Sequence, residues 1–545
     1  FITLNLGYIT LNRKINTLSG GELQRTRLVS QIGFGLSGII YILDEPSIGM
    51  HMAELENLLH ILKKLKEKGN TIIVVEHDES AIKASDYIVD LGPGSGDSGG
   101  HVVFSGRFRD FKNAKHSLTA DYMFSSNKSL DGSAPAADDA AKRLSSQDKY
   151  RFKTTSSQNK SLDGSAPAAH SGTGYIEIDR VSLNNLIDVD VKVPLQALTV
   201  VTGVSGSGKS SLIMGAFYRI VKNRIDTVIT NKRAAPAAHK GTGNSVPHRI
   251  KAAPAQVPEH TPGEDGMVTL RTSGYRKITY REAKGITGDG PGRILTVAQT
   301  AIGKNSRSCP ATYIGIMPLI RELFAGLTEA KMRGYDQSRF SFNVKGGRCE
   351  ACNGLGIRKL EMSFLPQLEV TCPVCEGKRY NSETLLCKYK GLSIADVLTL
   401  TADEAYKLFR DIPLLAKKIK VLIDVGLGYV ELGQSSTTLS GGESQRIRIS
   451  KELGRGSSLS TIYLFDEPTI GLHFADIEKL LDVFAALTAK GNTVIVIEHN
   501  PDVIRAADYI IDMGPGGGKN GGEILYQGDL PGILKNKKSI TAKYL

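Results

Sequence analysis

The residues with the plainest chemical meaning are Thr202–Leu212, TGVSGSGKSSL. Gly203, Gly206 and Gly208 let the backbone turn tightly and aim several N–H groups at one anion, and a helix starting near Lys209 adds its positive dipole end. At the spacing Gly203-x4-Gly208-Lys209-Ser210 the lysine reaches the β- and γ-phosphates of ATP, and the Ser210 hydroxyl ligates Mg2+. Ser205 and Ser211 belong to the same cradle. The apolar run Leu198–Val201 before it and Ile213–Met214 after it read as strand, loop and helix start, which is the context such a loop needs.

A second set of motifs occurs twice. Leu18–Glu22 (LSGGE) precedes an apolar strand, Ile39–Leu43, that ends in Asp44-Glu45-Pro46, and a strand over Thr71–Val75 ends in Glu76-His77. The series returns as Leu439–Glu443, as Ile462–Phe465 before Asp466-Glu467-Pro468, and as Val494–Ile497 before Glu498-His499. The acid-to-histidine spacing is the same in both copies, Glu45 to His77 and Glu467 to His499, so the chain holds two related domains and not a solenoid. Between the motifs, Glu54–Lys68 has helical periodicity with a polar face.

A carboxylate at the end of a buried strand, Asp466, is suited to hold Mg2+ through water, and Glu467 to polarise the attacking water. His499 is expected to contact the γ-phosphate or orient that water, and Gln299 to sense the same site. Ser19-Gly20-Gly21 and Ser440-Gly441-Gly442 offer small residues at a helix N-terminus, a geometry that covers a γ-phosphate held by a different domain.

Cys349-x2-Cys352 and Cys372-x2-Cys375 form two knuckles on a short hairpin, and four soft ligands at this spacing point to structural zinc with no open catalytic position. Cys309 and Cys387 fall outside the pattern and read as ordinary cysteines. Arg321, Lys331, Arg333, Arg339, Lys345 and Arg348 gather around the hairpin, with Phe340, Phe342 and Tyr380 interleaved, as on a surface that tracks a nucleic-acid backbone. The formal charge of +12, from 68 Lys and Arg against 56 Asp and Glu, suits such a polyanionic partner.

The 545 residues require at least two domains. No apolar run approaches the roughly 20 residues of a spanning helix, so a chain that transports across a membrane by itself is excluded. The cysteines are used as metal ligands, not as a disulfide framework, which fits a reducing cytoplasm. Composition divides the chain into 1–124, the later part of one ATPase domain; a Ser, Ala and Asp-rich linker over 125–174; a P-loop unit over 175–230; a Pro, Gly and Lys-rich insert over 231–290; a region over 291–436 that carries the cysteine hairpin; and 437–545 with the second motif series. The string NKSLDGSAPAA occurs at both 127–137 and 159–169. The start at Phe1 raises the expectation that residues upstream are missing.

P-loop, LSGGE, DEP and Glu-His motifs together identify an ABC-class ATPase, of α/β fold, with two related halves of which the first is incomplete. RSCPATY over Arg307–Tyr313, RFSFNVKGGRCEAC over Arg339–Cys352, GLGYVELGQSSTTLSGG over Gly426–Gly442, GYITLNRKINTLSGGELQRTRL over Gly7–Leu28 and DEPSIGMH over Asp44–His51 resemble the UvrA family, the damage-recognition ATPases of bacterial nucleotide excision repair. The resemblance implies a head-to-tail pair of ATPase domains, a homodimer, ATP-controlled binding of distorted double-stranded DNA and handover to UvrB. It also implies that Lys209, Ser210, Asp466, Glu467 and His499 face Ser19-Gly20-Gly21 in one complete composite site. Asp44, Glu45 and His77 would belong to a second site facing Ser440-Gly441-Gly442, whose P-loop lies upstream of Phe1 in the family, as do the first zinc module and the UvrB-binding region. Cys309 stands where the family usually has Asn, and the APAA-type inserts are foreign to it. Other readings are a UvrA-like resistance ATPase acting on drug-modified DNA, a transporter ATPase subunit, which the cysteine hairpin argues against, and an inert fragment.

Overall fold

The computed structural model describes residues 6–12, 14–15, 22–23, 25–26, 29, 37–94, 99–125, 174–234, 261–262, 267–270, 277–286, 290–297, 302, 307–362, 365–454 and 460–545. In the first half, strand β1 (Ile40–Asp44) pairs in parallel with β2 (Thr71–Val75). Helix α1 (Met52–Glu67) joins them. It starts where His51 caps it and Glu54 closes a capping box, and lysines in its last turn complement the dipole. Leu55, Leu58, Ile61, Leu62 and Leu65 recur at helical spacing and are buried. Burying Leu58 alone contributes about 2 kcal/mol, and Leu58→Ala would leave a cavity in this small core. Strands β3 (Tyr87–Gly92) and β4 (His101–Arg107) form an antiparallel ribbon.

The second half opens with an antiparallel hairpin of β5 (Tyr175–Leu183) and β6 (Leu186–Pro194). Strand β7 (Leu198–Gly203) leads into the glycine-rich loop, and the chain leaves it through a helical turn over Ser211–Phe217 and helix α2 (Tyr218–Ala234). Part of the stretch expected as an insert over 231–290 belongs to the fold: Val268–Leu270, Ile278–Tyr280 and Glu282–Lys284 join the β5–β6 sheet. Leu270, Ile278, Tyr280 and Ala283 are buried there, so short apolar patches inside a polar composition suffice to dock the segment.

The main sheet follows from β8 (Arg293–Val297), β11 (Thr461–Asp466), β12 (Thr493–Ile497), β13 (Tyr509–Gly514) and β14 (Glu523–Gly528), the hairpin β9 (Ile357–Met362) and β10 (Leu365–Thr371) lying apart. Its order is β8-β11-β12-β7-β13-β14, parallel except for β14. Continuous apolar runs such as Thr493–Ile497 are what a parallel sheet covered on both faces requires. Helices α3 (Gly441–Leu453) and α4 (Phe474–Ala489) flank it. Among the described residues no helix is long and apolar enough to cross a membrane.

The internal repeat extends to individual hydrogen bonds. Tyr8 donates to Glu22 and Tyr429 to Glu443, each at 2.7 Å. Glu76 accepts from Ser47 N and Glu498 from Thr469 N, each at 2.8 Å.

Candidate nucleotide site

The glycine loop sits at the carboxyl end of the central strand β7, with the histidine motif at the end of the adjacent strand β12 and the acidic motif at the end of β11, one strand further on. Gly203 adopts a φ of +129°, and a Cβ there would meet Met513 O at 2.0 Å, so only glycine lets β7 turn so close to β13. Lys209 is buried and folds back on the loop, its Nζ donating to the carbonyls of Gly203 at 2.8 Å and Val204 at 2.9 Å. Burial lowers its pKa, opposed by the charges of Glu54, Glu467 and Asp466. Gly208 precedes it at a φ of +109°. Ser210 is exposed and Ser211 receives a hydrogen bond from Asn184 Nδ2 at 3.1 Å.

Asp466 ends β11, and Glu467 follows in the left-handed region at φ +47° with its N–H bonded to Ile497 O on β12. Burial, then the charges of Asp466 and Glu498, push the Glu467 carboxyl up to about 7. Burial also raises Asp466. His499 is 8% exposed, lies 3.9 Å from Glu467 Oε1, and neither ring nitrogen has a hydrogen-bond partner among the described residues. Burial, with Lys209 nearby, lowers its pKa well below the usual histidine value. A buried imidazole beside a lysine that donates to loop carbonyls and two carboxylates is a donor set that fits a phosphate anion and a divalent cation.

The first half closes over this loop. Tyr8 lies against Gly206, where an added Cβ would meet its ring at 2.8 Å. Arg25 Nη1 donates to Ser205 Oγ at 3.4 Å and pairs with Glu54 at 3.5 Å, both side chains nearly inaccessible. Glu54 accepts from Ser205 N at 3.0 Å and from Ser205 Oγ at 2.5 Å. Gly49 faces Glu467: a Cβ on it would stand 2.9 Å from Glu467 Oε2. The reciprocal contact is present too, Gly471 facing Glu45 at 3.4 Å. Sequence reading missed Tyr8, Arg25, Glu54 and Gly49; the repeat was the one available signal, since each has a counterpart, Tyr429, Arg446, Asp476 and Gly471, beside the second motif series.

Ser19, Gly20 and Gly21, like Gln299, lie outside the described residues. Ser440 caps α3 in a capping box with Glu443, Gly441 is exposed, and Gly442 packs against Ile470 O. Asp44 ends β1, and Glu45 meets His77 Nε2 at 3.5 Å.

The four thiols of Cys349, Cys352, Cys372 and Cys375 are buried with Sγ atoms all within 4.8 Å of one another. Gly356 N donates to Cys352 Sγ at 3.3 Å, as a thiolate ligand requires. Such a cluster can hold one tetrahedral metal ion. Cys309 and Cys387 are buried elsewhere.

Around it, Lys331, Arg333 and Lys345 are exposed, and Arg321, Arg339 and Arg348 partly so. Arg333 pairs with Glu329 at 3.1 Å, Arg339 with Glu383 at 2.5 Å and Arg348 with Glu350 at 3.0 Å. The aromatic part of the expected surface is corrected. Phe340, Phe342 and Tyr380 are core residues, Phe342 and Tyr380 packing edge to face at 6.0 Å, so they offer no rings to bases. Their alternation with charged residues records one buried face, not a stacking platform.

No family model matches the chain. It is 43% identical over 544 residues to UvrABC system protein A of Clostridium acetobutylicum and 44% identical over 542 residues to that of Staphylococcus aureus, covering 100% and 99% of this chain. The chain spans about half the length of these relatives, 49% in each case. The crystal structure of UvrA2 from Deinococcus radiodurans superposes with a TM-score of 0.76 at 38% identity, over 100% of this chain and 56% of that one. Over the length it spans, the chain is similar to UvrA proteins from end to end.

Proposed function

We propose that this chain binds and hydrolyses ATP in one composite site, as the nucleotide-driven part of a DNA-damage sensor. The observation that carries the reading is the reciprocal contact between halves, in which Arg25, Gly49 and Glu54 pack against the Lys209 loop and Glu467. In this reading the loop from Gly203 to Ser211, with Gly206, Gly208 and Lys209, cradles the phosphates. Asp466 and Ser210 hold Mg2+, and Glu467 and His499 act on the attacking water. Mg2+ supplies charge neutralisation on the transferring phosphoryl group. Ser19-Gly20-Gly21 would cover the γ-phosphate, and Gln299 would report its presence.

Cys349, Cys352, Cys372 and Cys375 hold structural zinc in this reading, since a closed shell of four thiols leaves no open position for chemistry. The basic residues Arg321, Lys331, Arg333, Arg339, Lys345 and Arg348 contact the DNA backbone. The names of the relatives support membership of a UvrABC system. In this reading damaged duplex is the ligand, a UvrB-type partner acts downstream, and the chain works as a homodimer in the cytoplasm. Asp44, Glu45, His77 and Ser440-Gly441-Gly442 serve the second composite site. A resistance-ATPase role finds no separate support.

The test is competition between a duplex with one bulky adduct and the same duplex undamaged, with ATP, using Lys209→Ala as control. Adduct preference that changes in the variant supports an ATP-tuned sensor. Equal, salt-sensitive binding by both proteins would assign the basic surface to DNA but take discrimination away from this chain.

A further inference from the structure

One buried polar chain has no role in the nucleotide site described above. Asp512 lies on β13 beside Thr202 of the loop-bearing strand. Thr541 Oγ1 donates to Asp512 Oδ1 at 2.9 Å and stands 3.1 Å from His51 Nε2. None of the three residues is more than 2% exposed. Helix α1 sets the direction of the chain: His51 caps it, and His51 Nδ1 accepts from Ala53 N at 3.3 Å. A neutral imidazole whose Nδ1 accepts must carry its proton on Nε2. Nε2–H therefore donates to Thr541 Oγ1, and the threonine passes its own proton on to Asp512.

The other side of the His51 ring stands edge-on to His499, with centroids 5.8 Å apart and planes at 90°. His499 has no hydrogen bond to orient it among the described residues. The repeat carries a second copy: Thr119 Oγ1 donates to Asp90 Oδ1 at 3.2 Å and stands 3.1 Å from His473 Nε2. Both copies cross between halves, in opposite senses, over 490 and 354 positions of sequence. Mere adhesion would be served by apolar residues, whereas a buried polar chain costs free energy, here including an Asp512 Oδ2 with no hydrogen-bond partner among the described residues, and in return it fixes one ring orientation.

We propose that Asp512, Thr541 and His51 form a relay that positions His499: it locks the His51 ring in one tautomer and orientation, against which the His499 imidazole is held for ATP turnover. His51 is thus a positioning residue, contributed by the half that does not carry the loop. The inference rests on the ATPase reading above. The relay also ties turnover to contact between the halves, because its members come from both.

The test uses the full chain, with steady-state phosphate release, binding of a fluorescent ATP analogue and thermal melting. Thr541→Val keeps the shape and removes the hydroxyl; kcat is expected to fall about ten-fold with analogue affinity unchanged within two-fold. Thr541→Ser recovers kcat to within about three-fold, and adding His51→Gln to Thr541→Val lowers kcat no further. If Thr541→Val loses cooperative melting, Asp512→Asn is read the same way. Full kcat in a folded Thr541→Val protein, or a Thr541→Ser protein no better than it, overturns the relay. If the unaltered chain and Lys209→Ala release phosphate equally, the ATPase reading fails instead. The relay is then judged on 15N shifts of the His51 ring. Protonated Nε2 and bare Nδ1 that Thr541→Val disturbs uphold it, and a pattern untouched by that change overturns it.

Discussion

The two copies of the acid-and-histidine motif share spacing, local hydrogen bonds and backbone conformation, yet their surroundings differ. Glu45 and Glu467 both occupy the left-handed region, at φ of +43° and +47°. His499 is 8% exposed, whereas His77 is 40% exposed and pairs with Glu45 at 3.5 Å. Among the described residues, strands β11 and β12 are buried inside a six-stranded sheet, while β1 and β2 form a two-stranded sheet in which Ile42 is 71% exposed. The same histidine therefore titrates in opposite directions. Burial lowers His499, and hydrogen bonding to Glu45 raises His77. A motif specifies which groups arrive; the sheet that carries it decides how dry they are and what they can do.

The comparison is broken most directly by turnover. Glu467→Gln and Lys209→Ala should each lower ATP hydrolysis by about 100-fold or more, while Glu45→Gln stays within about three-fold of the unaltered chain, measured as steady-state phosphate release. Abolition by Glu45→Gln with Glu467→Gln intact would reverse the assignment of the two sites.

Metal removal tests whether the difference is local to the sheets. Cys352→Ser should lose the bound equivalent of zinc, lower the melting temperature and weaken DNA binding, because a structural zinc site contributes folding free energy directly. Binding of an ATP analogue should persist; its loss would mean that the cysteine hairpin and the nucleotide site are one cooperative unit.

The glycines that face each glutamate provide a paired control. Gly49 and Gly471 have nearly equal φ of +64° and +66°, so alanine strains the backbone equally at both, by about 1 kcal/mol. Only Gly49→Ala crowds Glu467, and it should lower kcat by about ten-fold, with Gly471→Ala near the unaltered rate. Equal losses in the two variants would show backbone strain, not crowding of the glutamate, to be the cause.

The smallest effect expected is in titration, followed by NMR of the two rings. His77 should stay protonated above the ordinary value near 6.5, and His499 neutral below it. Linkage then gives opposite slopes. The His77 contribution to stability is complete below 6.5 and is lost as pH rises through its raised pKa, whereas the His499 contribution is present above 6.5 and is lost as pH falls towards its lowered pKa. His77→Gln should therefore flatten the alkaline side of a melting-temperature profile. Coincident titration of the two rings would remove the contrast between the sites.

Much of the local structure was legible beforehand. The strands expected over Thr71–Val75 and Leu198–Val201 match β2 and the start of β7, because apolar runs bounded by glycine or charge state their own limits. The helix expected over Glu54–Lys68 begins two residues earlier, at Met52, because His51 supplies the cap. The surface expected from Phe340, Phe342 and Tyr380 misled, since residue type alone does not say which way a ring points.

By itself the sequence determined the chemistry on hand: the anion-binding loop, the paired acids and histidines, the four thiols and the duplication, all carried by contiguous residues at short spacing. Only the tertiary structure decided which of these meet. Glu54 reaches Ser205 across 151 positions, and His51 reaches Thr541 across 490, contacts that no window of sequence contains. It also decided that His499 lies in a dry interior and His77 in a wetter one, although Glu467 and Glu45 are equally exposed at 26%, because exposure is a property of the surrounding sheet and the opposing half rather than of the motif.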